Sequence, residues 1–244
     1  MGMAEDAKTR AIEARNRLGV SANESVNILN ILRSILNVSI IGRPLASNVS
    51  GLFVQNNDVR IILINTNRSR GHQHFTAAHE LCHLLYHEAL TGQICEIGLH
   101  NPKSPIEKEA DLFACHFLAP DQAIDYLLNK RQKPSRPVSL ADCVFLEQYF
   151  GISHQAMLIR LQQMGKISNH QAEQWKDGIT RVARELGYDT SLYKTTADYW
   201  VMSDYAEKAR EALDRDLISR GKYEELLLEA GLEDVLFGGE TEDD

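Results

Sequence analysis

The constraint that most narrows the fold lies in residues 76–90, TAAHELCHLLYHEAL, which place two histidines four residues apart in an otherwise apolar stretch. At helical period, His79 and His83 sit about 40° apart around the axis and one turn apart along it, so both imidazoles can reach a single ion. With His79 at zero, Ala77, Ala78, Leu81, Leu84 and Leu85 fall in an arc from about 140° to 260°. The apolar stripe therefore points away from the histidines. Such a helix, expected over about residues 75–88, must back onto a core and show its other face to a cleft. A solvated face with a favourable i, i+4 pair is the competing reading, and the stretch is too apolar for it. Glu80, on the adjoining face, is placed to take a proton from water at the metal.

A hydrolytic zinc site needs another protein ligand and an open position. His87 continues the i+4 series, but it lies about 12 Å along the axis from His79, too far for one tetrahedral ion to hold both. SPIEKEADLFACHFLAP (104–120) offers better candidates. Pro105 marks the start of a helix and Pro120 its end. Glu107 and Asp111 share one face, flanked by Ala110 and Ala114, whose small size permits close helix approach. Glu107 can then complete a His79–His83–Glu107 set while Asp111 orients an imidazole. Glu109 competes for the ligand role, and periodicity does not exclude it. Acidic residues also favour any first helical turn, whatever their function.

GHQHFTAAHELCHLLYHE followed by IEKEADLFACHFLAP resembles the ImmA/IrrE family of zinc metallopeptidases. The likeness rests on Phe75, Thr76, Ala78, His79, Glu80 and His83, then on Glu107, Ala110, Asp111, Phe113, Ala114, Leu118 and Pro120. Cys82 departs from the small residue usual before the second histidine and sets a thiol beside the metal. The resemblance implies a cytoplasmic peptidase that cuts a specific regulatory protein, typically a DNA-binding repressor. In the reaction it implies, Glu80 assists attack of zinc-bound water on a peptide bond. Zinc is the default cofactor and manganese the alternative. His72, His74, Tyr86 and His100 are candidates to stabilise the oxyanion, with no choice among them. A metal-binding sensor or interaction module with little proteolysis is the alternative function.

The expected fold is α+β: a mostly helical, zincin-like catalytic domain with a small antiparallel sheet, followed by a helical C-terminal region. SGLFVQNN and VRIILINTN read as a hairpin turning at Asn57–Asp58. Residues 5–17 and 23–36 carry apolar residues at helical spacing and are expected to pack on the sheet. The segments divide as a catalytic unit over 1–128, a helix-turn-helix-like segment over 129–166, and a helical, acidic region over 167–244 with a disordered GGETEDD tail. In the middle segment Gly151-Ile152-Ser153 is the turn. Six Lys and Arg (130, 131, 133, 136, 160, 166) against Asp142 and Glu147 give a local charge of +4. DNA binding through residues 137–165 is thus open, although the whole chain carries −8 and Arg160 is the only cation in the middle of the second helix. No run of about 20 apolar residues suggests a membrane span, and no signal pattern suggests secretion. Cys82, Cys95, Cys115 and Cys143 show no paired spacing, which reads as reduced thiols.

Overall fold

The computed structural model describes residues 2–56, 59–87, 93–96, 104–131 and 136–237. The fold is α+β, with one five-stranded sheet in the order β4-β2-β3-β1-β5. Its strands are β1 (Ser39–Arg43), β2 (Val49–Asn56), β3 (Val59–Asn65), β4 (Gln93–Glu96) and β5 (Trp200–Met202). The hairpin forms as expected: β2 and β3 pair antiparallel, with Leu52 opposite Leu63. The turn at Asn57–Asp58 lies outside the described residues.

The sheet is mixed rather than wholly antiparallel, because β1 runs parallel to β3. The connection from β1 to β2 must therefore cross the end of β3, and buried Asn65 holds it there. Its amide nitrogen donates to the carbonyls of Ala46 and Val49, and its Oδ1 accepts from the amides of Leu45 and Asn67. Polar groups buried at such a crossing need partners, and one side chain supplies four. Beyond it, Thr66 Oγ1 donates to Asp198 O at 2.8 Å. That bond leads the C-terminal segment onto the sheet, where β5 pairs antiparallel with β1. The C-terminal region is thus not helical throughout.

One sheet face (Ile40, Phe53, Ile62, Ile64) enters the same apolar cluster as Ala77, Ala78 and Leu81 of α3 (Arg70–Tyr86). Burying a large aliphatic side chain stabilises by about 1.5–3 kcal/mol, so this face holds α3 firmly. Over α3 lies α4 (Pro105–Leu118), and against α4 lies α1 (Met3–Arg17) rather than the sheet. Ala7, Ala11 and Ala14, all fully buried, form the narrow stripe that lets α1 approach. The expected helix over 23–36 is shorter. It runs Ile28–Asn30 and continues as a π-helical turn, Ile31–Ile35. The chain before it is held in turns, because Arg15 donates to the carbonyls of Ser21 and Glu24 and Asn27 caps the helix.

After α5 (Asp121–Arg131) come α6 (Leu140–Phe150) and α7 (His154–Gln163). Gly151 closes α6 in the left-handed region at φ 65°, and Ser153 caps α7. Gly71, in the first turn of α3, lies against this turn. A Cβ there would sit 2.7 Å from Ser153 N and 2.8 Å from the Ile152 carbonyl carbon. Further on, α8 (Asn169–Trp175) contributes Ala172 and Trp175 to the same cluster, and α10 (Tyr205–Asp214) and α11 (Arg220–Glu229) pack on each other. No described helix is long and apolar enough to cross a membrane.

Candidate metal centre

Two helix starts position the site. Ser69 Oγ caps α3 by accepting from His72 N, and Ser104 Oγ caps α4 by accepting from Glu107 N at 3.3 Å. Each cap offers an acceptor to a first-turn amide and fixes the rotation of that turn. Between them, α3 carries His79, Glu80 and His83, and α4 carries Glu107 and Asp111. Fully buried Ala110 and Ala114 let the two helices close together. The histidines are consequently buried, at 1% and 3% exposure, rather than displayed along an open face.

His79 Nε2 lies 3.0 Å from His83 Nε2 and 3.2 Å from Glu107 Oε2, and His83 Nε2 lies 3.3 Å from Glu107 Oε1. Hydrogen bonds on the far sides of the rings set the tautomers. Asp111 Oδ1 sits 3.0 Å from His79 Nδ1, which donates to it, so the neutral ring turns a lone pair inward from Nε2. His83 Nδ1 lies 2.9 Å from His87 Nδ1. Burial and the neighbouring His83 hold His87 below its usual pKa, leaving it a neutral acceptor for the His83 N–H. Two imidazole lone pairs and a carboxylate thus converge on one point. A convergence of electron-pair donors with N, N, O composition fits a divalent cation.

His87 bends back to His83 because α3 ends at Tyr86 and His87 leaves the helical region. Its Nε2 faces Glu109 Oε2 at 3.7 Å, and Glu109 also receives the Arg10 guanidinium. Glu109 is therefore turned to the outer side of His83, away from the point where His79, His83 and Glu107 meet. Arg10 itself lies over the Tyr86 ring, whose hydroxyl donates to Arg10 O.

Glu80 is 1% exposed, and its Oε1 has no hydrogen-bond partner among the described residues. Burial raises its carboxyl to about 7, with His79 opposing the shift and Glu107 adding to it. Such a group is poised to exchange a proton near neutrality. Gly51 makes room for it, a role the sequence reading missed. A Cβ there would meet Thr76 Cγ2 at 2.5 Å and Glu80 Oε1 at 3.3 Å. A glycine inside a strand pattern was the available signal, since it often marks close approach of another element.

A groove of about 480 Å³ opens beside His79 and Asp111. His72, bonded to Ser50 Oγ at 3.2 Å, lines it. His74 is engaged with Gly151 O at 2.8 Å, and burial lowers its pKa. His100 and the side chain of Cys95 lie outside the described residues. Cys82 is wholly buried in the apolar cluster, where burial, with the nearby Glu109, pushes its thiol up to about 12. It is a packing residue. Among the described cysteines, Cys82, Cys115 and Cys143 are unbridged.

The basic residues of the middle segment are mostly engaged within the fold. Arg131 and Arg136 pair with Asp142, Lys166 with Asp125, and Arg160, 1% exposed, with Asp121 and Ala119 O. Asp121 and Asp125 of α5, outside the counted stretch, thus offset part of the local +4. A second cluster unforeseen from sequence lies here: Cys143 and Glu147, one turn apart on α6, meet His154 at the start of α7, all buried. The i, i+4 spacing of the first two was its only sequence signal.

Likeness to a peptidase family supports a metallopeptidase-type function. The chain belongs to the Peptidase_M78 family, whose IrrE N-terminal-like domain matches residues 33–162. That span holds α3 and α4, the β2–β3 hairpin and the α6–α7 pair. Comparison with curated proteins finds no match.

Proposed function

We propose that this chain is a zinc-dependent endopeptidase that cleaves a specific cytoplasmic regulatory protein, such as a DNA-binding repressor. His79, His83 and Glu107 would hold the metal, and Glu80 would act as general base. The observation that carries this reading is the unpartnered, buried Oε1 of Glu80 beside three converging ligand groups. When bound, zinc supplies Lewis acidity to the scissile carbonyl and lowers the pKa of water. Glu80 takes the proton of the attacking water at its free oxygen and returns it to the departing amine. Asp111 and His87 hold the two imidazoles in the tautomers that aim their lone pairs inward. Of the candidates for the developing oxyanion, we assign His72, whose ring lines the groove.

In this reading residues 1–128 form the catalytic unit, 129–166 wall the groove, and 167–244 complete the sheet and offer a partner surface. DNA binding is disfavoured by the internal pairing of Arg131, Arg136, Arg160 and Lys166. Elemental analysis of the purified protein tests the site: one zinc is expected in the parent, lost or weakened in His79→Ala and Glu107→Ala. Glu80→Gln is expected to keep the metal and lose cleavage. If the biological effect survives that substitution, a sensor or binding module replaces the peptidase.

A further inference from the structure

The groove beside His79 is built from five elements, with Met3 of α1 at one side. Ser50 comes from β2, Phe75 from α3, Leu112 and Cys115 from α4, and Ala156 and Ile159 from α7. The walls are mainly apolar, and the volume of about 480 Å³ falls within the range of ligand clefts. Ile159 decides its character. It is 39% exposed, yet it sits on the face of α7 that Ala156, one turn before it, and Gln163, one turn after, also turn to the groove. The α7 backbone is fixed relative to the ligand helix through Gly71 against Ser153 and through the His74–Gly151 bond. The groove wall and the metal-facing histidines are therefore parts of one rigid arrangement.

Resting on the peptidase reading, we propose that α7 is the specificity wall of the site. The groove seats one large aliphatic or aromatic side chain of a peptide substrate, adjacent to the bond that is cut, and Ile159 is the residue that selects it. The occupant follows from continuity: the groove borders His79 and Asp111 directly, so a chain lying across the ligand set must place a neighbouring side chain there. An apolar side chain gains by burial against Phe75, Leu112 and Ile159, while Lys108, Gln155 and Gln163 of the same groove can meet the polar backbone of the peptide.

The test uses a degenerate library of blocked decapeptides passed over immobilised, zinc-loaded Glu80→Gln protein, with retained peptides read by mass spectrometry. Retained peptides are expected to be enriched in Leu, Met and Phe by about tenfold or more, the preference that burial of one such side chain supplies. Ile159→Asp is expected to abolish the enrichment, and Ile159→Leu to keep it. The position is partly exposed, so neither change threatens folding, and equal zinc content in all three proteins verifies that. A retained pool with the composition of the input overturns the proposal. So does an apolar enrichment that Ile159→Asp leaves intact. Cleavage of the same library by the zinc-loaded parent bears on the peptidase reading separately. No cleavage with apolar retention preserved would sink that reading and leave a peptide-binding groove.

Discussion

Two clusters of metal-ligating residues, each with three buried or nearly buried members, sit within this small protein, and they differ in one respect. At His79, His83 and Glu107 the outer nitrogens of both rings are hydrogen-bonded, and the inner lone pairs face one another across about 3 Å with nothing of the chain between them. At Cys143, Glu147 and His154 every polar atom has a complementary partner. His154 Nε2 donates to Trp175 O, which leaves Nδ1 to share a proton with Glu147 Oε1 at 2.6 Å. The Cys143 thiol donates to the same oxygen, and the Tyr193 hydroxyl donates to Oε2 at 2.8 Å. The first cluster brings electron-pair donors face to face beside a groove. The second is a closed ion pair that ties α6, α7 and α8 to the C-terminal segment. Ligand types in proximity do not distinguish a site from a structural lock. Whether the facing atoms complement one another does.

The largest effect should come from Glu80→Gln. Cleavage is expected to fall by about 10²–10⁴-fold while one zinc remains bound, measured by peptide hydrolysis and elemental analysis on one preparation. Cys143→Ser should leave the zinc count unchanged. A second equivalent of metal that vanishes with Cys143→Ser would erase the distinction between the clusters. Next in size is Glu147→Ala, which strands a buried imidazolium together with two hydroxyl or thiol donors. A loss of about 3–5 kcal/mol is expected in urea unfolding, with no change in metal stoichiometry.

The two clusters should also separate by pH in the chelated protein. Glu80 has a folded pKa raised from 4.5 to about 7, so the folded state holds its proton longer than the unfolded state does. Stability is therefore lost as pH rises through that window, by up to about 3 kcal/mol, and Glu80→Gln should remove the slope. His154 is also raised, because the bond to Glu147 outweighs burial. Its contribution is fully present below the ordinary histidine value of 6.5 and is lost as pH climbs through the raised folded value. Glu147→Gln should flatten the profile there, from 6.5 upward, whereas the Glu80 slope begins near 4.5. Coincident slopes in both variants would contradict the comparison.

The smallest effects concern the outer supports of the rings. Asp111→Asn is expected to weaken zinc binding by about 10–100-fold, read by competition with a chromogenic chelator. Glu109→Gln, which acts on His83 only through His87, should fall at or below the lower end of that range.

Much of this was legible beforehand because it is periodic and local. The apolar stripe of α3, the small residues of α4 and the β2–β3 hairpin follow from neighbours a few positions apart. The choice between Glu107 and Glu109 was not of that kind, since both fit the helical period. Glu109 is drawn outward by Arg10, a residue 99 positions earlier. The spacing argument kept His87 from sharing an ion with His79. It could not show that the helix ends one residue before and lets the ring fold back. The parallel pairing of β1 depends on Asn65 clasping a distant loop, and β5 is three residues in a stretch without alternation. Arg160 counted as a free cation until its burial against Asp121 was visible.

The antiparallel pairing of β5 with β1 also has a consequence for how the protein is made. Ribosomes deliver the chain from its N-terminus at about 5–20 residues per second. The outer edge of β1 must therefore wait many seconds for residues 200–202, while the hairpin and both ligand helices are already available to collapse. During that interval β1 offers a bare row of amides and carbonyls to any other strand. Yield in a cell should depend on how quickly this late strand arrives, and a slow codon stretch after α8 would be expected to send more of the product into inclusion bodies.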